Sequence, residues 1–186
     1  MEKEHEENIR SNKALRQLLK VGLNQYRCCN KYSVTMFISL YLDRFDDTYI
    51  NFMDTKENTI TNGVFTKILY SEPLFTMNGL HFLFPIVFTE VYNNNYNKTF
   101  IKFQPKFHLN NNILIYLSRI EESVLHTYNN KKAKMLKLQE QLKSGCVKVN
   151  TTSRIVPGST KFSIKISGVW ENSTSIGITY KISKIQ

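Results

Sequence analysis

Two segments near the C-terminus, residues 161–169 and 175–185, alternate apolar and polar side chains with a period of two. In the first segment, one side carries Phe162, Ile164 and Ile166, and the other carries Lys161, Ser163, Lys165 and Ser167. In the second, one side carries Ile176, Ile178, Tyr180 and Ile182, and the other carries Gly177, Thr179, Lys181 and Ser183. Successive side chains of a β-strand point to opposite faces, so this pattern is typical of half-buried strands. We predict a β-hairpin with a core face and a charged face, and its turn-rich connection at 168–174 contains Trp170, the single tryptophan.

Short aromatic-rich segments in the middle of the chain predict further antiparallel strands, because Asp, Asn, Gly and Pro separate them. The predicted strands cover residues 34–42, 48–53, 64–70, 81–92, 99–107 and 147–150. Pro105 confines the fifth of these to a sheet edge or ends it. The pattern predicts successive strands of a barrel or a sandwich.

A period of three to four residues replaces the alternation between residues 113 and 143. A first amphipathic helix is predicted over 113–128, preceded by a cap-like run of three asparagines at 110–112. A second is predicted over 131–143, and Gly145 provides its C-terminal cap. We therefore expect a charged N-terminal arm or helix at 1–20 and a single domain at 21–186, with a helical insert at about 110–145.

The excess of positive charge is confined to the second half of the chain. Residues 1–90 hold 10 Lys or Arg and 11 Asp or Glu, whereas residues 91–186 hold 15 Lys or Arg against four Glu. A basic region of this kind favours an anionic partner such as nucleic acid. The three cysteines have no CxxC spacing, and neither a signal peptide nor a membrane-spanning run is apparent. We expect an intracellular protein that is neither secreted nor bound to a membrane.

Sequence signatures of enzymes are absent. No glycine-rich phosphate loop occurs, and the four histidines show no HExxH motif and no metal-ligand spacing with cysteine. His81 is interpreted as an ordinary strand residue. Asp43, Asp46 and Asp47 could serve a nuclease only if they converged in one cleft with Asp54. We therefore expect no catalytic residues, no metal site and no cofactor.

Lysines and aromatic residues in the second half fit the requirements of single-strand binding, which needs cations for the phosphates and rings on which bases stack. If the strands are neighbours in a small barrel, the lysines form one stripe. The candidate nucleic-acid-binding residues are Lys102, Lys106, Lys148, Arg154, Lys161, Lys165, Trp170, Tyr180 and Lys181. Phe100 and Tyr92 are further aromatic candidates. Tyr180 lies on the apolar side of its strand and could belong to the core, and Trp170 could instead plug a barrel end.

The segments 120–128, 138–149, 162–171 and 176–181 resemble the C-terminal part of single-stranded DNA-binding proteins from large DNA viruses and related mobile elements. The similarity rests on a Gly-x-Trp element at 168–170 and a Gly-x-x-Tyr-Lys element at 177–181, and covers the last third of the chain. It implies an OB-like antiparallel β-barrel with a helical insert between the later strands, within a mainly β fold with helices (α+β). It also implies functional roles for Gly168, Trp170, Gly177, Tyr180 and Lys181.

We accordingly expect a non-enzymatic protein that coats unwound single-stranded DNA, or alternatively RNA, during viral replication or recombination. Self-association along the strand and contacts with replication proteins are expected, in the host nucleus or a viral replication compartment. The alternative is an accessory or scaffold protein that acts through protein contacts. That alternative predicts an exposed apolar stripe on the first helix, formed by Leu114, Leu117, Val124 and Leu125.

Overall fold

The computed structural model describes residues 23–30, 33–58, 62–94, 98–128, 131–151 and 154–185. The strands are β1 (Leu23–Asn30), β2 (Ser33–Leu40), β3 (Ile50–Glu57), β4 (Val64–Glu72), β5 (Phe75–Asn78), β6 (Leu80–Phe88), β7 (Glu90–Asn93), β8 (Thr99–Lys102), β9 (Ala133–Met135), β10 (Cys146–Val149), β11 (Gly158–Glu171) and β12 (Ser175–Lys184). The helices are α1 (His108–Thr127) and α2 (Lys137–Ser144), and two 3-10 turns precede β3. The predicted arm at 1–20 lies outside the described residues.

Strand β11 organises the larger sheet because it pairs with three neighbours. Its first half pairs with β6, its second half pairs with β4, and β12 runs antiparallel to it along its other edge. A register shift between Ile166 and Gly168 marks the point at which one neighbour replaces the other. The sheet has the order β1-β2-β6-β11-β12-β9, and β4 brings β3 and β5 against β11. It is nearly closed and barrel-shaped, which confirms the predicted mainly β, OB-like α+β fold.

The smaller sheet joins the larger one at the end of β12. It has the order β10-β8-β7 and is antiparallel throughout. Asn150, directly after β10, forms a parallel bridge with Ser183 in β12. The backbone N–H of Asn150 donates to the Ile182 carbonyl over 2.8 Å, and the N–H of Lys184 donates to the Asn150 carbonyl over 3.2 Å. The two sheets therefore present their outer faces side by side.

Helix α1 covers the inner side of the larger sheet and completes a single apolar core. Leu114 is 7% exposed, and Leu117, Val124 and Leu125 are fully buried. The exposed stripe that the scaffold alternative predicts is therefore absent, because this side of α1 packs against the sheet. In the described residues, neither helix is long and apolar enough to cross a bilayer.

The start of α1 differs from the prediction. The asparagine run at 110–112 lies inside the helix rather than before it, and Phe107 occupies the N-cap position. Asn110 is buried, and its side-chain amide forms hydrogen bonds with the backbone of β6 and of the segment before α1. Its Oδ1 accepts the Val87 N–H over 2.9 Å, and its Nδ2 donates to the Val87 and Gln104 carbonyls. Asn110 therefore binds the sheet instead of capping its own helix.

The predicted second helix is also shorter than expected. Residues 133–135 form β9, which runs parallel to the start of β12, and the helix begins only at Lys137. Gly145 ends it in a left-handed conformation at φ 70°, as predicted. Strands also differ in places: β7 separates from β6 and joins the other sheet, β8 ends at Lys102, and β1 and β5 were not predicted. Pairing partners distant in sequence determine these boundaries.

Candidate functional site

The predicted hairpin has the two faces that the alternation indicates. β11 and β12 are antiparallel, and Phe162, Ile164, Ile166, Ile178 and Ile182 are all buried. Lys165 lies directly opposite Lys181 on the other face, and Lys161 lies four residues before Lys165 on the same face. The turn is shorter than predicted, because Asn172 Oδ1 accepts the N–H groups of Thr174 and Ser175.

The pairing of the adjoining strands shows which residues lie next to Lys165 and Lys181. In β6, His81 lies opposite Lys165. On the other side, Lys148 and Lys181 each stand two residues before the isolated bridge between Asn150 and Ser183, which brings Lys148 near Lys181 on the same side. These four residues, Lys148, Lys181, Lys165 and His81, occupy four strands and are called the basic row below. With paired strands about 4.8 Å apart, the part of the row in β12, β11 and β6 is roughly 10 Å long.

An aromatic pair continues the basic row across the smaller sheet. Phe100 in β8 lies opposite both Lys148 and Tyr92. The rings of Tyr92 and Phe100 stack with centroids 5.4 Å apart and an interplanar angle of 11°, and Tyr92 is 45% exposed. The Tyr92 hydroxyl lies 3.0 Å from Cys146 Sγ, and this hydrogen bond raises the pKa of Tyr92. An exposed ring therefore adjoins the cationic end of the row.

The outward positions of the four strands β4, β6, β11 and β12 carry charge of one sign, whereas the smaller sheet adds the exposed Glu90 two residues before Tyr92 on the same side. At the outward positions of β4, β6, β11 and β12, the titratable side chains are Lys67, His81, Lys161, Lys165 and Lys181, with no acidic residue among them. Burial lowers the pKa of His81, and the neighbouring Lys165 adds to this effect. His81 Nε2 lies 3.3 Å from the Asn78 carbonyl oxygen. The face is thus suited to an anion and unfavourable to further cations.

Trp170 lies on the same outer face but inside β11, not in the connecting turn. It is opposite Gly177, and Lys137 Nζ stands 5.2 Å from the centroid of its ring. Tyr180 lies on the inner face instead. Its hydroxyl donates to Gln141 Oε1 over 2.9 Å, and burial raises its pKa to about 12. Tyr180 and Trp170 are therefore on opposite sides of the hairpin.

The remaining candidates are not brought into the basic row. Lys102 lies opposite Cys146 and Glu90, and its Nζ is 3.5 Å from Glu90 Oε2. Lys106 is exposed in the turn before α1. Arg154 is exposed and lines an open cavity of about 460 Å³ beyond the end of the smaller sheet. Of the predicted cations, Lys148, Lys165 and Lys181 form one row, and Lys161 shares their face.

Sequence reasoning missed the position of His81 and the role of Glu121. His81 was interpreted only as a strand residue, and its place beside Lys165 depends on the register. Glu121 is fully buried in α1, where its carboxylate accepts the N–H groups of Leu138 over 3.1 Å and Gln139 over 2.8 Å. It caps the first turn of α2, and burial raises its pKa. A charged residue within the apolar stripe of α1 was the available signal.

Two of the aspartates that the nuclease hypothesis names, Asp46 and Asp47, form hydrogen bonds within the fold. Asp46 Oδ1 accepts the N–H of Thr48 over 2.9 Å, and the hydroxyl of Ser123 donates to Asp47. Among the residues that the structure describes, no three His, Cys, Asp or Glu side chains converge as metal ligands.

Comparisons with known proteins add no relative. No protein-family model matches the sequence, and neither the curated proteins nor the solved structures give a match.

Proposed function

We propose that this protein binds single-stranded nucleic acid, DNA in the first place, along the basic row and the adjoining Tyr92–Phe100 pair. The observation that carries the proposal is the register of Lys165 and Lys181. Like charges directly opposite each other destabilise a sheet, and Lys148 extends the positive charge beyond Lys181, while the polar imidazole of His81 lies beyond Lys165. A bound phosphate backbone would relieve this repulsion.

Binding would follow from two physical contributions. The lysines neutralise phosphates and release counterions, so the affinity depends strongly on salt. Stacking of an unpaired base on Tyr92, worth about 1 to 3 kcal/mol per base, favours single strands over duplex. Such a protein needs no catalytic group and would coat unwound DNA by mass action during viral replication or recombination, in the nucleus or a replication compartment.

The test is fluorescence anisotropy of labelled single-stranded and duplex oligonucleotides over a series of salt concentrations. The variants are Lys165→Glu, Lys181→Glu and the double substitution. We expect tighter binding of the single strand, and a logarithmic salt slope whose magnitude falls by about 0.7 for each lysine removed.

Lys143→Glu is the matched control, because it makes the same charge change in the last turn of α2, two residues after Gln141, which contacts Tyr180 of the inner face. It should retain the wild-type salt slope. Absence of binding at low salt, or equal effects of Lys143→Glu and Lys165→Glu, would overturn the proposal.

A further inference from the structure

Two aromatic rings lie on the outer face beyond the basic row. Phe65 in β4 is directly opposite Trp170 in β11, and both side chains are half-buried. They stand past the register shift that follows Ile166, and are therefore on a different part of the face from Lys165. This aromatic patch, Phe65 and Trp170, is separate from the Tyr92–Phe100 pair on the smaller sheet.

Each ring of the patch lies against a glycine. A Cβ atom on Gly168 would come within 2.5 Å of Phe65 Cζ, and a Cβ on Gly177 would come within 2.5 Å of Trp170 Cζ2. Three atoms of the indole lie within 3.0 Å of that same Gly177 position. A larger residue at position 177 would lift the indole away from the sheet, and one at position 168 would meet both the Phe65 ring and the Thr66 carbonyl oxygen of β4. The two glycines thus allow the rings to lie close against the backbone.

A lysine side chain covers the indole. Lys137, the first residue of α2, places its Nζ 5.2 Å from the ring centroid. Because Gly177 lies under the indole, the lysine occupies the position that a stacked base would take. A cation–π contact at an accessible site is weaker than base stacking, so a base can replace the ammonium group.

Further lysines adjoin the patch. Lys56 lies opposite Phe65, and Lys67 lies opposite Gly168; both are exposed. Phosphates on either side of a base stacked here would meet these ammonium groups. The arrangement of a ring flanked by cations repeats, on another part of the face, the combination found at Lys148 and Phe100.

We propose that Phe65 and Trp170 form a second base-binding site, which an unpaired base occupies after Lys137 has left the indole. Lys137 then pairs with the phosphate of the incoming nucleotide. This inference rests on the proposed single-strand binding, and it extends the interface from the smaller sheet to β4.

Trp170 is the chain's single tryptophan, so emission excited at a wavelength that the ten tyrosines do not absorb reports on this site alone. The probes are an oligothymidylate and an abasic deoxyribose-phosphate strand of equal length, which carries the same charge without bases. We expect both strands to raise the anisotropy at low salt, and only the oligothymidylate to quench Trp170. Quenching by the two strands to the same extent would overturn the second site.

Two substitutions test the lysine over Trp170 and the aromatic ring of Phe65 separately. Lys137→Ala should increase quenching of Trp170 by acrylamide in the free protein, whereas Lys143→Ala on the same helix should not. Phe65→Leu retains apolar bulk without an aromatic face. It should reduce the preference for oligothymidylate over the abasic strand by about 5- to 100-fold, with binding of the abasic strand unchanged.

The outcomes separate the two proposals. One outcome is that both strands bind, that oligothymidylate does not quench Trp170, and that Phe65→Leu prefers oligothymidylate over the abasic strand as strongly as the wild type does. The second site then fails and the proposed function stands. If neither strand binds at low salt, the proposed function fails and this site fails with it. Should Phe65→Leu not fold, the acrylamide and quenching results with Lys137→Ala decide the matter.

Discussion

Two neighbouring pairs in the β11–β12 hairpin have opposite energetic consequences. Ile164 lies opposite Ile182, and one residue further along Lys165 lies opposite Lys181. The isoleucines are buried in the core, and their contact stabilises the sheet. The lysines share the outer face and repel each other. The same alternation thus produces one pair that supports the fold and one that opposes it.

The difference teaches how a binding face can be recognised without a bound ligand. A half-exposed strand commonly alternates apolar and charged residues, so alternation alone says little about function. Pairing of like charges is informative because it costs stability, as it does where Lys165 lies opposite Lys181. Functional sites are where such costs are found.

The largest effect on stability should come from truncating Phe162, a core residue of the inner face. This residue is fully buried, and its ring centroid lies 6.3 Å from that of Phe84 and 6.0 Å from that of Phe88. We expect Phe162→Ala to lower the free energy of unfolding by about 3 to 5 kcal/mol, measured by urea denaturation. Phe162→Leu should cost much less. A loss below about 1 kcal/mol for the alanine variant would show that the inner face is not the core.

A smaller effect is expected at Glu121, the buried charge of the inner side. Glu121→Ala leaves the N–H groups of Leu138 and Gln139 without their acceptor, and should lower the free energy of unfolding by about 1 to 3 kcal/mol. Glu121→Gln retains one acceptor and should cost less.

The pH dependence gives Glu121 a second test. Burial raises its pKa above the ordinary value of 4.5, so the folded chain holds the proton to higher pH than the unfolded chain. This contribution to stability is therefore present at acid pH and is lost as pH rises from 4.5 through the folded pKa. Glu121→Gln should lack this decline. An equal decline in both proteins would contradict the assignment.

The smallest effect concerns the outer face at His81. Burial and Lys165 lower its pKa from 6.5, so the unfolded chain takes up the proton first and stability increases with pH in the window below 6.5. We expect Lys165→Gln to raise the pKa of His81. The pKa is measured by NMR titration of the imidazole Cε1–H. A bound oligonucleotide should raise it as well. An unchanged pKa in Lys165→Gln would separate His81 from the row.

Local patterns predicted the hairpin, its two faces, helix α1 and the cap at Gly145, because alternation, helical periodicity and a positive φ are properties of short segments. Residues 131–135 were assigned to a helix, since their tendency to pair with 175–177 is not visible locally. Asn110 was assigned to a cap because its partner, Val87, lies 23 residues away.

The candidate site was predictable in its residue types and not in its arrangement. Lys148, Lys165 and Lys181 were identified as cations of a possible stripe. The register of β11 and β12 pairs the last two, and the bridge at Asn150 brings Lys148 near them. His81, Phe65 and Lys137 owe their positions to register or to a helix start. Trp170 was placed in a turn because the two strands extend further than their alternation suggests.

The most direct measurement is made on Lys165→Glu alone, with thermal unfolding and oligonucleotide affinity recorded on the same preparation. The substitution replaces a repulsive cross-strand pair with an attractive one, so we expect the free energy of unfolding to rise by about 0.2 to 1 kcal/mol. Affinity for single-stranded DNA should fall at the same time. A variant that is less stable and binds as tightly as the wild type would contradict the assignment of the basic row to nucleic-acid binding.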